Sequence, residues 1–481
     1  MSADPQSLLE WARPAVPSSR CCGEEPLREG PQLERPDLHS RRWLEETLTR
    51  IRQLLVEKSF CHQHRVNDKA FTRQRHFTFA NSMLFLMQKT LRSIQAHVHS
   101  FFEALGQPSP GLTPSAWSQA RLKLSCTAFM ALNEEAILQV VYRNRAHPQL
   151  CLWEGYRLLA IDSSLVRLPN QEDLGQEFGW VDCTNKSGEC GRYPQARLSV
   201  LTDVLNRIAI QTCFEPWTKG ERELAQEQVQ RLEDWDLALL DRGFAEYKLW
   251  ACFVDADRRF VCRCQANTFG IVNRLFKENQ AGRSVVIELV PHREQMKEIQ
   301  EAHLPATIKL RFVTVRLSTG ELEVLATNLL DEVLYPTECF AELYHCRWGI
   351  ETYYGLLKGR LDLGSFTGLS AAALRQDVYS TVFISNLESL LIGPANQQLE
   401  QKSQSLKYLQ QVNHAVSFHS IKSHIIALLI GPETIAQVVE KLQPLFLANP
   451  TTVRPERIVP RTKPSAWRSY NYQRNVRKAV F

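Results

Sequence analysis

A chain of 481 residues can bury a large hydrophobic core and is long enough for two or three domains. Hydrophobic residues make up 44% and charged residues 23%, which is typical of a globular protein and excludes a wholly disordered chain. The formal net charge of +5 is too small to indicate a nucleic-acid-binding protein by itself.

The cysteines and the apolar segments indicate the compartment. Thirteen cysteines, an odd number scattered along a long chain, do not form a disulfide framework or a paired zinc-ligand spacing, so we predict reduced thiols. The sequence has no leader-like N-terminus and no apolar run of about 18 residues. These features favour a cytoplasmic protein.

The N-terminal third is predicted to be helical after an irregular start. Residues 1–40 are rich in Pro, Arg and Glu and indicate a loosely ordered arm. Apolar residues recur at helical spacing over 41–150, which predicts a helical domain, and Thr113 with Pro114 marks a helix start. This domain is a candidate for binding DNA ends through Arg121 and its neighbours, although plain helical packing explains the pattern equally well.

The pattern changes to short strands over residues 151–255, where two acids follow apolar runs. The run 158–161 leads into Asp162, and the run 237–240 leads into Asp241. Functional groups of an α/β sheet are commonly found where its strands end. Three strands, a helix and a fourth strand match the order of a ribonuclease-H-like domain. The predicted elements are strands at 158–161, 197–202, 207–210 and 237–240, with a helix at 221–232.

The remainder of the chain is predicted to contain a β-rich segment followed by helices. Alternating strands dominate 256–332, which we interpret as an insertion into the α/β domain. Residues 333–395 complete that domain with a long helix at 337–360 and a second helix at 374–391. Residues 396–450 form a helical C-terminal region, with helices at 421–430 and 433–442 separated by a Gly-Pro pair.

The last segment, 451–481, is a basic tail. Eight Lys or Arg residues lie between Arg454 and Lys478 against one acid, Glu456, and Trp467 and two tyrosines lie among them. Basic side chains neutralise phosphates and aromatic rings stack on bases, so the tail is compatible with nucleic-acid binding. A solvated tail without a partner is an equally simple interpretation.

The helix at 337–360 carries four polar residues on one stripe. At about 100° per residue, Tyr344, Arg347, Glu351 and Lys358 fall within about 60° of one another. An apolar face formed by Leu343 and its helical neighbours lies beside them. Taken alone, this stripe is explained as well by a salt-bridged surface row as by a functional site.

The third acid, Glu351, gives the stripe a chemical interpretation. Asp162, Asp241 and Glu351 are expected to converge, and three carboxylates repel one another unless cations neutralise them. Oxygen-only ligands select Mg²⁺ or Mn²⁺, and two such ions about 4 Å apart can stabilise the attacking and leaving oxygens of phosphoryl transfer. We therefore expect the three acids to crowd together beside a basic groove, with Arg347 and Lys358 holding phosphates.

The spacing Tyr-(2)-Arg-(3)-Glu-(6)-Lys, met by Tyr344, Arg347, Glu351 and Lys358, resembles the signature of the DDE transposases of bacterial insertion sequences, specifically the IS-four family. The resemblance covers about residues 65 to 390. The other segments that carry it are IDSS at 161–164, YPQAR at 193–197, LDRGF at 240–244 and SAWSQAR at 115–121.

This resemblance implies an α/β fold, namely a ribonuclease-H-like catalytic core interrupted by a β-rich insertion, with a helical N-terminal domain and a helical C-terminal region. It implies cut-and-paste transposition of the element's own DNA by strand nicking, a hairpin intermediate and strand transfer, with two Mg²⁺ or Mn²⁺ ions per site. The expected partners are double-stranded DNA, as terminal repeats and target, and a second protomer in a synaptic complex. Tyr344, Arg347, Lys358 and Arg242 are expected to contact the DNA.

Three other functions agree with parts of the sequence. A catalytically inactive, DNA-binding transposon remnant would keep the fold, but all three acids are present. A hydrolase that uses two carboxylates as acid and base would leave Arg347 and Lys358 without a role. A nuclease-like scaffold would bind DNA without cutting it.

Overall fold

The protein is described by a computed structural model in which a nine-stranded mixed sheet is surrounded by helices. The description covers residues 37–454, apart from 74, 90–92, 108–110, 146, 148–149, 185–189 and 318–319. Most of the predicted arm and all but the first residues of the predicted basic tail, including Trp467, lie outside the described residues.

The N-terminal region is helical, as the sequence predicted. The start at Thr113 is confirmed, because its hydroxyl accepts a hydrogen bond from the Ala116 amide at 3.2 Å and Pro114 occupies the first turn. Clustered aromatic rings, including Phe85 and Trp117, form the core of this region. Its helices are α1 (Asp37–Val56), α2 (Lys58–His64), α3 (Phe79–Gln88), α4 (Ile94–Ala104), α5 (Pro114–Arg121), α6 (Thr127–Leu132) and α7 (Gln139–Tyr142).

The central sheet begins with five strands in the order β4-β3-β1-β5-β6. Strands β1, β5 and β6 are parallel to one another, and β3 is antiparallel to both β1 and β4. The predicted strands and the intervening helix are confirmed, with longer bounds for most of the strands. The elements are β1 (Arg157–Arg167), α8 (Glu172–Phe178), β2 (Trp180–Thr184), β3 (Cys190–Asp203), β4 (Ile208–Pro216), α9 (Glu221–Val229), β5 (Asp236–Leu240), α10 (Tyr247–Asp255) and β6 (Arg259–Cys264).

The segment predicted to be an insertion continues the same sheet. Strand β6 pairs with β5 on one side and with β9 on the other, and β8 and β7 follow. Arg311 of β8, fully buried, donates hydrogen bonds to the carbonyl of Tyr335 at 2.6 Å and to the Thr337 hydroxyl at 3.2 Å, which attaches these strands to the chain that follows. The elements are α11 (Gly270–Glu278), β7 (Ser284–Leu289), α12 (Met296–Glu301), β8 (Ile308–Arg316) and β9 (Leu322–Thr327).

The prediction of one continuous helix at 337–360 is wrong in one respect, because the segment forms two helices with a break at Cys346 and Arg347. The helix predicted at 374–391 is longer, and its Ser370 hydroxyl accepts from the Ala373 amide at 3.3 Å to cap the start. The last two predicted helices are present. The elements are α13 (Cys339–His345), α14 (Trp348–Gly359), α15 (Ala371–Ser403), β10 (Gln410–Gln411), α16 (His414–Leu429), α17 (Ile435–Ala448) and β11 (Thr451–Thr452).

Arg121, considered above as a DNA contact, is instead a packing residue between α5 and α15. It is 6% exposed and forms an ion pair with Asp377 at 2.8 Å, and it also donates to Gln376, to Thr367 and to the carbonyl of Ala373. All these acceptors lie on or just before α15, so Arg121 joins the N-terminal helices to the C-terminal half. None of the helices in the described ranges has the length and apolar character needed to cross a membrane.

Candidate active site

Two of the predicted acids lie where the pairing of two neighbouring parallel strands ends. Strand β1 pairs with β5 up to Ile161 opposite Leu240, so Asp162 and Asp241 are the next residues along each strand. The sequence predicted that Asp162 lies at the end of its strand. This is wrong, because β1 continues to Arg167 alongside β3. The acid lies where the parallel pairing ends, which opens one side of β1 next to Asp241.

Asp162 is partly buried, and its charge is disfavoured by its surroundings. Its Oδ1 accepts a hydrogen bond from the Ser163 amide at 2.8 Å. Burial is the main reason that the pKa of Asp162 is raised to about 6; the charges of Asp241 and Glu351 also raise it, whereas the Ser163 amide and Arg347 lower it. The other two acids and Arg347 therefore all act on this carboxylate, although they come from distant parts of the sequence.

Helix α14 packs against β1 and carries the third acid. The hydroxyl of Tyr354 donates to the carbonyls of Asp162 at 2.9 Å and Leu198 at 3.1 Å, so one side chain attaches the helix to β1 and β3. At the start of α14, Gly349 lies against Val204; a Cβ there would be 3.0 Å from the Cβ of Val204. Close approach at Gly349 and the Tyr354 hydrogen bonds fix the height of Glu351 above the sheet.

Arg347 is buried among the acids rather than exposed. Its side chain is 4% exposed, and its Nη2 donates to the Oε1 of Glu351 at 2.9 Å. The guanidinium lies 5.1 Å from the ring centre of Trp348 and 5.7 Å from that of Tyr344. Burial lowers the pKa of Arg347, but Tyr344, Glu351 and Asp241 together raise it by more, so the group stays charged.

The other predicted DNA contacts occupy different environments. Tyr344 is 3% exposed, and its hydroxyl donates to the carbonyl of Leu240 at 3.3 Å, so it supports the strand that leads into Asp241. Lys358 is exposed and its ammonium donates to the hydroxyl of Ser164 on β1. Arg242 is exposed in the turn directly after Asp241. Lys358 and Arg242 are thus positioned to meet a ligand, whereas Tyr344 is enclosed.

The expected crowding of the three acids is not seen. Among the residues that the structure describes, no group of three or more His, Cys, Asp or Glu side chains is close enough to hold a metal ion. Glu351 is paired with Arg347 instead, which relieves the repulsion that three converging carboxylates would suffer. The oxygen-only donor set of Asp162, Asp241 and Glu351 fits Mg²⁺ or Mn²⁺, provided that Glu351 turns away from Arg347.

Several side chains at the site were not identified from the sequence. Glu323 on β9 is 4% exposed, and its Oε1 lies 3.0 Å from the Nε of Arg263. Trp348 is 50% exposed on α14, and Tyr354 holds the helix in place. Trp348 and Tyr354 lie three residues before and after Glu351, which is one helical turn and was the signal that could have found them. Glu323 gave no such signal, because its place depends on strand pairing.

The family follows from comparison of this arrangement with known proteins. Residues 153–387, which include β1, β5 and α14 and all three acids, match the family model described as a transposase DDE domain. This segment is a transposase DDE domain. The predicted resemblance to DDE transposases of insertion sequences is thereby confirmed.

Two curated relatives support the assignment. The transposase InsG for insertion sequence element IS4 of Escherichia coli K12 is 23% identical over 261 residues, which are 54% of this chain and 56% of that protein. The putative transposase InsZ of the same strain is 27% identical over 92 residues, which are 19% of this chain and 30% of that protein. The match thus spans about half the length of the first relative and less of the second.

One solved structure was also similar. It is the piggyBac transposase in a synaptic complex with hairpin DNA, with a TM-score of 0.41, 9% identity, and coverage of 84% of this chain and 85% of that one.

Proposed function

We propose that this transposase cuts and rejoins DNA strands in a reaction that depends on Mg²⁺ or Mn²⁺, with Asp162, Asp241 and Glu351 as the metal ligands. The observation that carries the proposal is the register of β1 and β5, which brings Asp162 and Asp241 side by side. The electrostatic effect of Glu351 on Asp162 supports the third ligand.

The strand order supports a ribonuclease-H-like core. The order β4-β3-β1-β5-β6, with β1, β5 and β6 parallel and β3 reversed, agrees with the arrangement proposed from the sequence. The domain boundaries stay predictions, as does the interpretation of 256–332 as an insertion, since β6 belongs to the core order while β7, β8 and β9 extend the sheet beyond it.

The chemistry would be divided between the acids and the surrounding cations. When bound, two hard metal ions would activate the attacking oxygen and neutralise the leaving oxygen of an in-line phosphoryl transfer. Asp162, held by the Ser163 amide, keeps its position while Glu351 turns. Lys358 and Arg242, both exposed beside the acids, are the side chains that we assign to DNA phosphates.

Tyr344 and Arg347 are proposed to bond to other groups of the protein before either contacts DNA. Tyr344 would position Asp241 through the carbonyl of Leu240, because its hydroxyl is buried and already bonded. Arg347 would reach a phosphate only after releasing Glu351. Trp348 follows Arg347 in the sequence, and its ring is half-exposed. The exposed face of this ring is available to stack on an unpaired base.

The full reaction that we propose is cut-and-paste transposition of the element that encodes this chain, by nicking, a hairpin intermediate and strand transfer within a dimeric synaptic complex. The exposed charges predict that DNA binding weakens steeply as salt increases, because phosphate contacts release counterions. Action in the bacterial cytoplasm, associated with the nucleoid, stays a prediction.

The decisive experiment is a cleavage and strand-transfer assay with a DNA fragment that carries both ends of the element, taken from the DNA flanking its gene. Wild-type protein should cut in Mg²⁺ and not in EDTA. Asp162→Asn, Asp241→Asn and Glu351→Gln should each lose cleavage by at least about 10³-fold, as expected when a group that acts only in the transition state is removed. All three variants should still bind the ends in a gel-shift assay.

The same assay separates the remaining alternative functions. A catalytically inactive remnant would bind the ends without cutting them in any metal. A two-carboxylate hydrolase would keep its activity in EDTA. Undiminished cleavage by Glu351→Gln would show that the third metal ligand is another residue.

A further inference from the structure

Glu323 is a buried acid beside the candidate site for which the proposed reaction gives no role. It is 4% exposed on β9, where Val324 pairs with Cys264 and Leu325 with Arg263. Leu240 pairs with Cys262 on the neighbouring strand, so Asp241 adjoins Arg263, the ion-pair partner of Glu323. Only strand β6 therefore separates the strand of Glu323 from the strand that leads into Asp241.

Two buried polar atoms near this point have no hydrogen-bond partner among the described residues. One is the Oε2 of Glu323, whose Oε1 is paired with Arg263, and the other is the Nε of Arg347. An unpaired buried donor and an unpaired buried acceptor each cost about 1–3 kcal/mol, so such atoms require an explanation. Opposite charges with unused bonding capacity in one site suggest a second arrangement in which they meet.

Other contacts place Arg347 within reach of the same region. Its guanidinium lies over the ring of Tyr344, and the Tyr344 hydroxyl bonds to the carbonyl of Leu240, next to Asp241. Arg263 and Arg347 both lower the pKa of Glu323 against the larger, opposite effect of its burial. The environment of Glu323 thus contains two cations, and its ion pair is with Arg263.

We infer that Glu323 is the acceptor that takes Arg347 from Glu351 when Glu351 turns to bind metal. In the described arrangement Arg347 holds Glu351, and among the described residues the three acids do not form a metal-holding group. Releasing Glu351 without another acceptor would leave a buried guanidinium unpaired, which is costly. The Oε2 of Glu323 provides that acceptor, so the site changes between two paired states. Glu323 is a positioning residue in this scheme, because it acts through Arg347.

This inference rests on the proposed metal site, and metal affinity tests it without any turnover. Mn²⁺ binding to the full chain without DNA would be measured from the loss of the free-ion electron paramagnetic resonance signal. Glu323→Gln should weaken Mn²⁺ binding by about tenfold or more, the size expected when a group that orients a metal ligand is removed. Arg347→Met should tighten binding, because nothing then competes for Glu351.

A double-mutant cycle separates the exchange of partners from general loss of negative charge. In the Arg347→Met background, adding Glu323→Gln should change Mn²⁺ affinity by less than about twofold, because no guanidinium remains to be transferred. If Glu323→Gln weakens binding equally in both backgrounds, the acid acts only through its charge and the inference is overturned. The Mn²⁺ affinity of the single variant Arg347→Met is a separate test, and weaker binding by that variant would also overturn the inference.

Two control variants lie on or beside the same strands. Glu321→Gln removes an exposed acid two residues from Glu323 and should leave Mn²⁺ affinity unchanged. Arg263→Met removes the partner that Glu323 already has and should not weaken binding. If Arg263→Met instead reproduces the effect of Glu323→Gln, the acid serves only to hold Arg263 and the inference fails.

Trp348 provides a direct signal of the exchange. Its ring lies 5.1 Å from the guanidinium of Arg347, so a 5-fluorotryptophan resonance, assigned with Trp348→Phe, should shift when Mg²⁺ is added. Glu323→Gln should need about tenfold more Mg²⁺ for the same shift. Absence of any Mn²⁺ binding in wild type, or binding unaffected by Asp162→Asn, would instead contradict the proposed function.

Discussion

At the scale of single residues, the dominant feature of the site is the cost of the charge on Asp162. Burial raises the pKa of this carboxyl from its ordinary value of 3.8 to about 6. A raised pKa means that the folded protein favours the protonated acid, so the ionised acid destabilises the fold as pH rises through about 6. Ionised Asp162 therefore weakens the metal-free protein at neutral pH.

Asp162→Asn should accordingly stabilise the metal-free protein at pH 8 by about 1–2 kcal/mol, with allowance for partial exposure. The gain should decrease as pH falls below about 6 and disappear near pH 4, where wild-type Asp162 is protonated. Thermal unfolding in EDTA across this pH range checks the prediction. A stability difference that does not change with pH would mean that the charge of Asp162 costs nothing.

Excess Mg²⁺ should reverse the order of stability. A ligand that binds only the folded state stabilises it by mass action, and Asp162→Asn lacks one of the proposed ligands. We therefore expect Mg²⁺ to raise the melting temperature of the wild type by more than that of the variant. Equal gains would argue that Asp162 does not bind the metal.

The sequence singles out three acids, whose role as metal ligands stays a prediction, but it does not predict how side chains pair within the site. Two acids follow apolar runs, and Glu351 belongs to a recognisable spacing. The i,i+4 spacing of Arg347 and Glu351 allowed an ion pair, yet whether Arg347 faces solvent or the core depends on how the helix packs. Glu323 comes from a strand whose neighbours are fixed only by tertiary pairing.

At the scale of elements, the position of α14 depends on Gly349. A methyl group there would lie 3.0 Å from the Cβ of Val204, closer than ordinary van der Waals contact. Gly355 lies on the same helix with no atom within 4 Å of the corresponding position, which makes it a matched control. The comparison of the two glycines therefore isolates the effect of the contact with Val204.

Gly355→Ala should stabilise the protein by about 0.5–1 kcal/mol, because alanine favours helix more than glycine does. Gly349→Ala should show no such gain, and Gly349→Val should destabilise by about 1–3 kcal/mol through overpacking. Differential scanning calorimetry of the three variants measures these differences. Equal effects of alanine at the two positions would show that the helix can move away from Val204 without cost.

The sequence predicted which elements exist better than where they end. The apolar run at 158–161 predicted a strand, but its continuation from Asp162 to Arg167 pairs only with β3 and begins with three polar residues, which end the apolar run. The helix at 337–360 is broken at Cys346 and Arg347, although the residues there have ordinary helix propensity. Pairing with β3 accounts for the longer strand, and hydrophobic periodicity reports neither boundary.

At the scale of the whole molecule, Arg121 joins the N-terminal helices to α15. Its ion pair with Asp377 and three further hydrogen bonds are almost completely buried. Removing one partner of a buried ion pair typically costs about 3–5 kcal/mol, because the other charge is left unpaired. The conservative change Arg121→Lys keeps the charge but loses the fork of hydrogen bonds.

Arg121→Met should therefore lower the melting temperature strongly and loosen the N-terminal helices, with Arg121→Lys between it and wild type. Hydrogen exchange should show faster exchange in α5 and the first turns of α15. As a control, Arg143→Met removes an exposed ion pair with Glu46 and should change stability by less than about 1 kcal/mol. Similar losses for Arg121→Met and Arg143→Met would contradict a joining role for Arg121.

The continuity of the sheet limits how this chain can be shortened. Deleting 265–330 would expose the edge of β6 that pairs with β9 and would remove Arg311, whose hydrogen bonds attach these strands to the chain before α13. The helices that carry Tyr344 and Glu351 would then lose their support at one end. A shortened version of this chain should therefore retain every strand of the sheet.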